Sequence, residues 1–263
     1  MPGTILPPWA DDPLSTFLSE AERNVRVCAL NWSGEFEVQQ RAHALLLRVW
    51  EILENDSEEG HLFFPRMLTL RSHSAILAAM RLAMSGQAFE AQAVVRLAIE
   101  GAWYALHIAA DPAPPSRANL WRRRGTSPQA TQKCKNEFRV ENVRRTHERL
   151  DARSAAGMRH LYEDTIEFGG HPNQVGIGGS ARIDRSGSDD VIQVGVGVLT
   201  PETLATGLAL KAAVEAAVGL ARTFRLIYPE RCRIVGLNDD IDRLIRHLQR
   251  VFPRRAETLR AKQ

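Results

Sequence analysis

The sequence predicts a mainly α protein, an antiparallel helical bundle with one small β-hairpin inserted before the penultimate long helix. Three observations carry this. Apolar residues recur at helical spacing in successive stretches along most of the chain. The period falls to two in one region, between Val175 and Leu199. Ser85-Gly86-Gln87 joins two long apolar stretches by a link so short that they must run antiparallel, with Gly86 free to take the left-handed conformation that closes a helix.

Taken in order, Leu14, Phe17, Leu18, Ala21, Val25 and Cys28 define a first helix over 14–30, and Asn31-Trp32-Ser33-Gly34 breaks it. A second helix spans 35–54, with Val38, Ala42, Leu45, Leu46, Val49 and Ile52 on one face. A third spans 66–84, with Leu68, Leu70, Leu77, Met80 and Met84 as its apolar positions. Asp111-Pro112-Ala113-Pro114-Pro115 ends the fourth, and a short basic element, Asn119–Gly125, follows. Thr126–Lys135 reads as loop, with helices at 138–149 and 151–168 after it. The hairpin strands flank the turn Arg185–Asp189. Thr200-Pro201-Glu202 has the pattern of a helix start for a stretch running to Leu226, and Asn238-Asp239-Asp240 caps a final amphipathic helix. These elements divide into an acidic helical segment (1–60) packed on a core (61–228), and a basic C-terminal helix and tail (229–263).

The stretch Gln87–Asp111 organises the rest, being apolar on nearly every side and so destined for a core. Ala98, Gly101, Ala102 and Ala105 form a sector of small residues where a neighbouring helix can approach closely. Roughly opposite runs a polar stripe of Arg96, Glu100 and His107. Charges on a buried face must be paired or water-connected, so the stripe is either a structural network or the floor of a site.

Charge is segregated although the net charge is only +3. Residues 1–60 carry eleven acids against four arginines, whereas 112–160 carry twelve Arg or Lys against four acids. This permits RNA or another anionic partner, and equally an acidic first segment docking on the basic later ones. Cys28, Cys134 and Cys232 lie in no metal-like spacing and fit unpaired thiols in a reducing, cytoplasmic setting. No run approaches about 18 uninterrupted apolar residues, so no membrane partner is expected. Zinc-peptidase, zinc-ribbon and serine-hydrolase motifs are missing, and the glycines at 176, 178 and 179 do not open a helix after a strand. No cofactor or metal is expected, and a homodimer is left open.

Arg96, Glu100 and His107, completed by His171 or Tyr162, are the candidate catalytic set. A base, an acid and a cation are what metal-free phosphodiester cleavage needs, and also what a buried polar clamp needs. Trp121, Arg122, Arg123, Tyr162 and Asn173 are candidate binding residues; clustered arginines beside a tryptophan can hold phosphates or form a solvated rim.

The stretch LRSHSAILAAMRLAMSGQAFEAQAVVRLAIEGAWYALHIAADP, the Trp-x-Arg at 121–123 and LYEDTIEFGGHPN together carry a resemblance. Over roughly 66–185 the chain resembles a family of uncharacterised bacterial helical proteins in which an Arg-x-x-x-Glu core helix and a His-Pro-Asn loop recur together. That arrangement is loosely similar to the HEPN superfamily, helical domains of bacterial defence and toxin loci, some of them metal-independent ribonucleases. The resemblance implies an RNA-directed protein, a ribonuclease or its inactive relative. The catalytic pattern there is Arg, four to six residues, then His; here Arg153 and His160 have that spacing, whereas Arg96 and His107 are too far apart. The alternative is a non-enzymatic helical interaction module whose Arg-Glu-His network only fixes the core.

Overall fold

The computed structural model describes residues 12–54, 60–170, 181–184, 193–201 and 203–260. It is mainly α. Helix α1 (Pro13–Asn31) is capped by Asp12, whose carboxylate accepts from the amides of Leu14 and Ser15, with Pro13 at the first helical position. Trp32, buried between α1 and α2 (Ser33–Glu54), turns the chain. The α2 face expected from spacing is the buried one: Val38, Ala42, Leu45, Leu46 and Val49 all lie in the core. On α1 burial is confined to the C-terminal half, and Leu14 and Leu18 are exposed.

Helices α3 (Phe63–Ser85) and α4 (Ala88–Ala109) form the most extensive helix pair. Gly86 joins them with φ +97°, its N–H bonded to Ala83 O and the next amide to Leu82 O. The face of α3 that packs shares part of the expected row, since Met80 and Met84 are buried and Leu68 packs partly buried against the core. Leu70 and Leu77 are exposed, while Thr69, Ser72, Ile76, Ala79 and Ala83 are buried, because smaller side chains let α4 come close. The small-residue sector of α4 meets this face: a Cβ built on Gly101 falls well inside contact distance of Ser72 Oγ.

Helix α5 (Ser116–Arg122) follows the proline-rich corner. Contrary to the expected loop, Pro128–Glu137 is a helix, α6, started by the Ser127 hydroxyl accepting from Ala130 N and by Pro128 at the first position. Its low apolar content hides it, since Cys134 is its one buried residue. Helices α7 (Val140–Leu150) and α8 (Ala152–Thr165) follow, and α8 continues into a wider π turn, Ile166–Gly170. Gly169, at φ +150°, passes against the Phe89 backbone so closely that a Cβ would lie 2.6 Å from the Phe89 carbonyl oxygen.

Strands β1 (Ala181–Asp184) and β2 (Gln193–Val196) pair antiparallel, Ala181 opposite Val196. Of the rest of the expected hairpin, residues 175–180 and 185–192 with its turn lie outside the described residues, and 197–199 carry no strand. The next helix starts later than Thr200-Pro201 suggests. Helix α9 is Leu204–Ile227, capped by Thr203, whose hydroxyl accepts from Thr206 N. Thr200 instead bonds the α3–α4 corner, donating its N–H (2.9 Å) and its hydroxyl (3.2 Å) to Gly86 O.

Helix α9 is long and apolar enough to cross a membrane by length and composition, but 72% of its most apolar window is buried inside the bundle. A short α10 (Pro229–Ile234) leads to α11 (Leu237–Arg260), which buries Ile241, Leu244, Leu248 and Phe252. One apolar core runs from Cys28 to Phe252, with α9 against α2, α3, α4, α8 and α11. All three cysteines are buried thiols with no disulfide between them.

Candidate functional site

The polar stripe of α4 resolves into two clusters held by different helices. In the first, Arg96 Nε donates to Glu100 Oε1 at 3.0 Å, and the Tyr162 hydroxyl of α8 donates to the same oxygen at 3.1 Å. The Arg96 guanidinium lies 5.0 Å from the centre of the Tyr162 ring, and Arg144 of α7 lies 4.6 Å from it. Arg144 also covers the Trp103 ring at 5.2 Å and faces Glu163 at 3.8 Å. Trp103 Nε1 in turn donates to His147 Nδ1 at 3.2 Å, which assigns the proton of the neutral ring to Nε2. Burial and then the Glu100 charge push the Tyr162 pKa upward. Arg96 is held cationic: burial opposes its charge, but the Glu100 carboxylate and the contacts with Tyr162 outweigh it. The pair keeps 28% and 32% of its side-chain surface exposed, so it is a half-buried clamp between helices.

His107 belongs to the second cluster. Its Nδ1 lies 2.7 Å from Thr146 Oγ1 and its Nε2 3.1 Å from Glu137 Oε1. Arg117 Nε reaches the same Glu137 oxygen at 2.8 Å, and Arg117 Nη1 donates to the carbonyls of His107 and Ala110 at the C-terminus of α4. Burial, reinforced by Arg117, pushes the His107 pKa down to about 4 against the pull of Glu137. The neutral ring therefore carries its proton on Nε2, toward the carboxylate, and accepts from Thr146 at Nδ1. Both nitrogens are used, which leaves this imidazole no lone pair for a substrate.

Beside it opens a polar cavity of about 310 Å³, lined by His107, Arg117, Glu137, Asn142, Arg145, Thr146 and Arg149. Sequence reasoning missed Arg117, Glu137, Asn142 and Thr146. Their only signal was local: basic residues on short helices after a proline corner.

Trp121 is tucked between Tyr104 (5.3 Å) and Phe138 (4.8 Å), with Arg124 over its ring at 5.5 Å. Arg122 and Arg123 are exposed beside it. His171 and Asn173 lie outside the described residues. The structure thus brings Arg96, Glu100 and Tyr162 together, and gives His107 and Trp121 other partners.

The basic surface is distinctive for what it does not pair with. Among the described residues, Arg122, Arg123, Arg124, Lys133, Lys135, Arg139, Arg145 and Arg149 form no ion pair, and all are exposed. The acids of α1 and α2 are engaged elsewhere, Glu22 with Arg26 and Arg81, and Glu37 with Arg41 and His247. Among the described residues no ion pair joins 12–54 to 112–160. Of the basic later segments the acidic one packs on the C-terminal helix, α2 against α11, where Glu37 faces His247 at 3.9 Å. No group of three His, Cys, Asp or Glu placed to hold a metal occurs among the described residues. No family model, curated protein or solved structure matches the chain.

Proposed function

We propose that this helical protein binds RNA through the surface of α5, α6 and α7. The observation that carries the reading is the set of eight exposed cations on and beside α5, α6 and α7 that form no ion pair among the described residues, of which Arg145 and Arg149 line the His107–Arg117 cavity. A flexible polyanion satisfies such a surface by counterion release without needing a fixed register. Arg145 and Arg149 at the mouth of the cavity, with Asn142 between them and the wall, take phosphates; Arg117 and Glu137 hold the wall rigid. The likeness to HEPN-type proteins agrees with an RNA ligand and with a place in a bacterial defence or mobile-element locus. Binding without cleavage is favoured over ribonuclease action, because His107 has both nitrogens engaged and Arg96 and Glu100 are tied to each other and to Tyr162.

A second reading, a non-enzymatic interaction module, is supported by that Arg96–Glu100–Tyr162 clamp, which ties α4 to α8 and so serves the core. Incubating pure protein with mixed RNA in chelator separates the readings. RNA bound and intact supports the proposal, RNA cut restores the ribonuclease, and RNA unbound at low salt leaves the interaction module.

A further inference from the structure

A second cavity, of about 530 Å³, lies in the trough between α8, α9 and α11, away from the α5–α7 elements that carry the proposed RNA surface. Its floor is apolar: Met158 and Leu161 from α8, Val218 from α9, and Ile245, Leu248 and Phe252 from α11. Helices α8 and α9 run antiparallel, since Asp151, at the start of α8, pairs with Arg225 near the end of α9 while Met158 packs on Gly219. The two ends of the trough therefore differ in charge.

At the far end Lys211 pairs with Glu215 at 3.0 Å, and His160 lies 3.6 Å from the Asp164 carboxylate. At the near end stand Arg153, Ser154 and Arg222. Arg222 is half-buried, and neither it nor Arg153 forms an ion pair among the described residues. Asp151 is committed to Arg225 and to capping Ser154 N, and the exposed Asp242 is a more distant opposing charge. Ser154 is 3% exposed, lines the trough, and its hydroxyl has no hydrogen-bond partner. A buried hydroxyl without a partner is costly, and native structures keep few of them.

We infer that this trough binds a single-chain amphipathic anion, a medium-chain alkyl carboxylate, with its head at Arg222, Arg153 and Ser154 and its tail along the apolar floor. The size lies in the range of small-molecule sites, which are mainly apolar with a few convergent polar groups. The head supplies the acceptor that Ser154 lacks and the negative charge that Arg222 lacks. Burial, with Arg225 and Arg153 nearby, lowers the pKa of Arg222, so an added anion relieves a real electrostatic cost.

Calorimetric titration of decanoate and of decanol into the full chain tests this. Decanoate is expected to bind saturably at one site, with decanol at least tenfold weaker. Arg222→Gln is expected to weaken decanoate at least tenfold, and Arg153→Gln by less. Gly157 lines the same trough and a Cβ there meets nothing within 4 Å, so Gly157→Phe starts in open space, lays its ring on the apolar floor in place of the tail, and is expected to abolish binding at an undiminished melting temperature. No saturable heat with decanoate on the wild type, equal affinity for decanol, or full decanoate affinity in a folded Gly157→Phe protein each overturns the inference. None of these readouts involves RNA, so the trough and the basic surface fail or stand separately.

Discussion

Tyr162 donates to the Glu100 oxygen that also receives Arg96, so one carboxylate oxygen joins two residues of α4 to α8 at 3.0 and 3.1 Å. The shared oxygen makes Glu100 the keystone of the clamp, and the partial exposure of the pair limits what its loss costs. Removing one member of a fully buried pair costs about 3–5 kcal/mol. Here Glu100→Ala is expected to cost about 1.5–3 kcal/mol, the range for hydrogen bonds to a charged group. Glu100→Gln keeps an acceptor for both donors and is expected to lose less. Chemical denaturation and RNA binding on the same preparations check both points. A folded Glu100→Gln protein with RNA affinity unchanged fits a structural clamp; one that loses RNA places the stripe in the site.

Gly101 faces Ser72 across the α3–α4 contact, where an added Cβ would fall well inside contact distance of the Ser72 hydroxyl and 3.6 Å from Leu68 O. Gly101→Leu must push the helices apart or force both out of their preferred rotamers, and is expected to destabilise by about 1–3 kcal/mol or more. Gly101→Ala is expected to cost little, because the new methyl meets only the Ser72 hydroxyl, which turns aside, and alanine favours helix more than glycine does. A melting temperature at or above wild type for Gly101→Leu would falsify the close approach.

Three buried histidines give the fold a common pH dependence. His73 accepts from Trp50 Nε1 at Nδ1 and meets His43 at Nε2; with His107 and His147 it is held neutral, burial pushing each pKa down to about 4. In the unfolded chain each titrates near its ordinary value of about 6.5. Between the two values the unfolded state binds more protons, so stability is complete above about pH 6.5 and falls as pH drops toward 4. Each histidine contributes up to about 1.4 kcal/mol per pH unit in that window. Urea unfolding at about pH 7.5 and about pH 5 measures the loss. His147→Gln is expected to shrink it; an equally steep loss in that variant would assign the effect to other groups.

Elements whose logic is local were legible in the sequence. The α2 face, the Gly86 corner and the small sector of α4 each follow from spacing or from one residue's conformational freedom. What was not legible depends on partners far along the chain. Tyr162 to Glu100, Arg117 to Glu137 and Thr200 to Gly86 join residues that no periodicity relates. Helix α6 had its start signal in Ser127-Pro128, but its polar composition outweighed that signal in reading it as loop. On α3, Met80 and Met84 were legible as core, but Leu70 and Leu77 misled: hydrophobicity nominated them, whereas the close approach of α4 selected the small residues beside them.

The unpaired cations of α5–α7 set the final expectation. Arg145 and Arg149 are exposed on α7 at the mouth of the His107–Arg117 cavity, and neither holds another helix in place through an ion pair. Reversing both with glutamate should therefore leave the melting temperature nearly unchanged. RNA affinity should fall by a similar factor for every sequence tested, because the bonds to phosphate carry no base information. The slope of log affinity against log salt should also become shallower, by about 0.7 for each phosphate of a single strand that the protein ceases to neutralise. Arg243 and Arg246 on α11 provide the control: they are exposed too, but they lie on the helix that packs against α2 and α9. Their reversal should leave RNA binding within about twofold of wild type, the scale of a distant charge screened by salt. Filter binding across a salt series measures all three proteins. If both double variants lose RNA equally, the ligand is following net charge and the α5–α7 surface has no special role. If only the α7 variant loses it, with the shallower slope, then the surface that the acidic helices leave unpaired is the surface that RNA occupies.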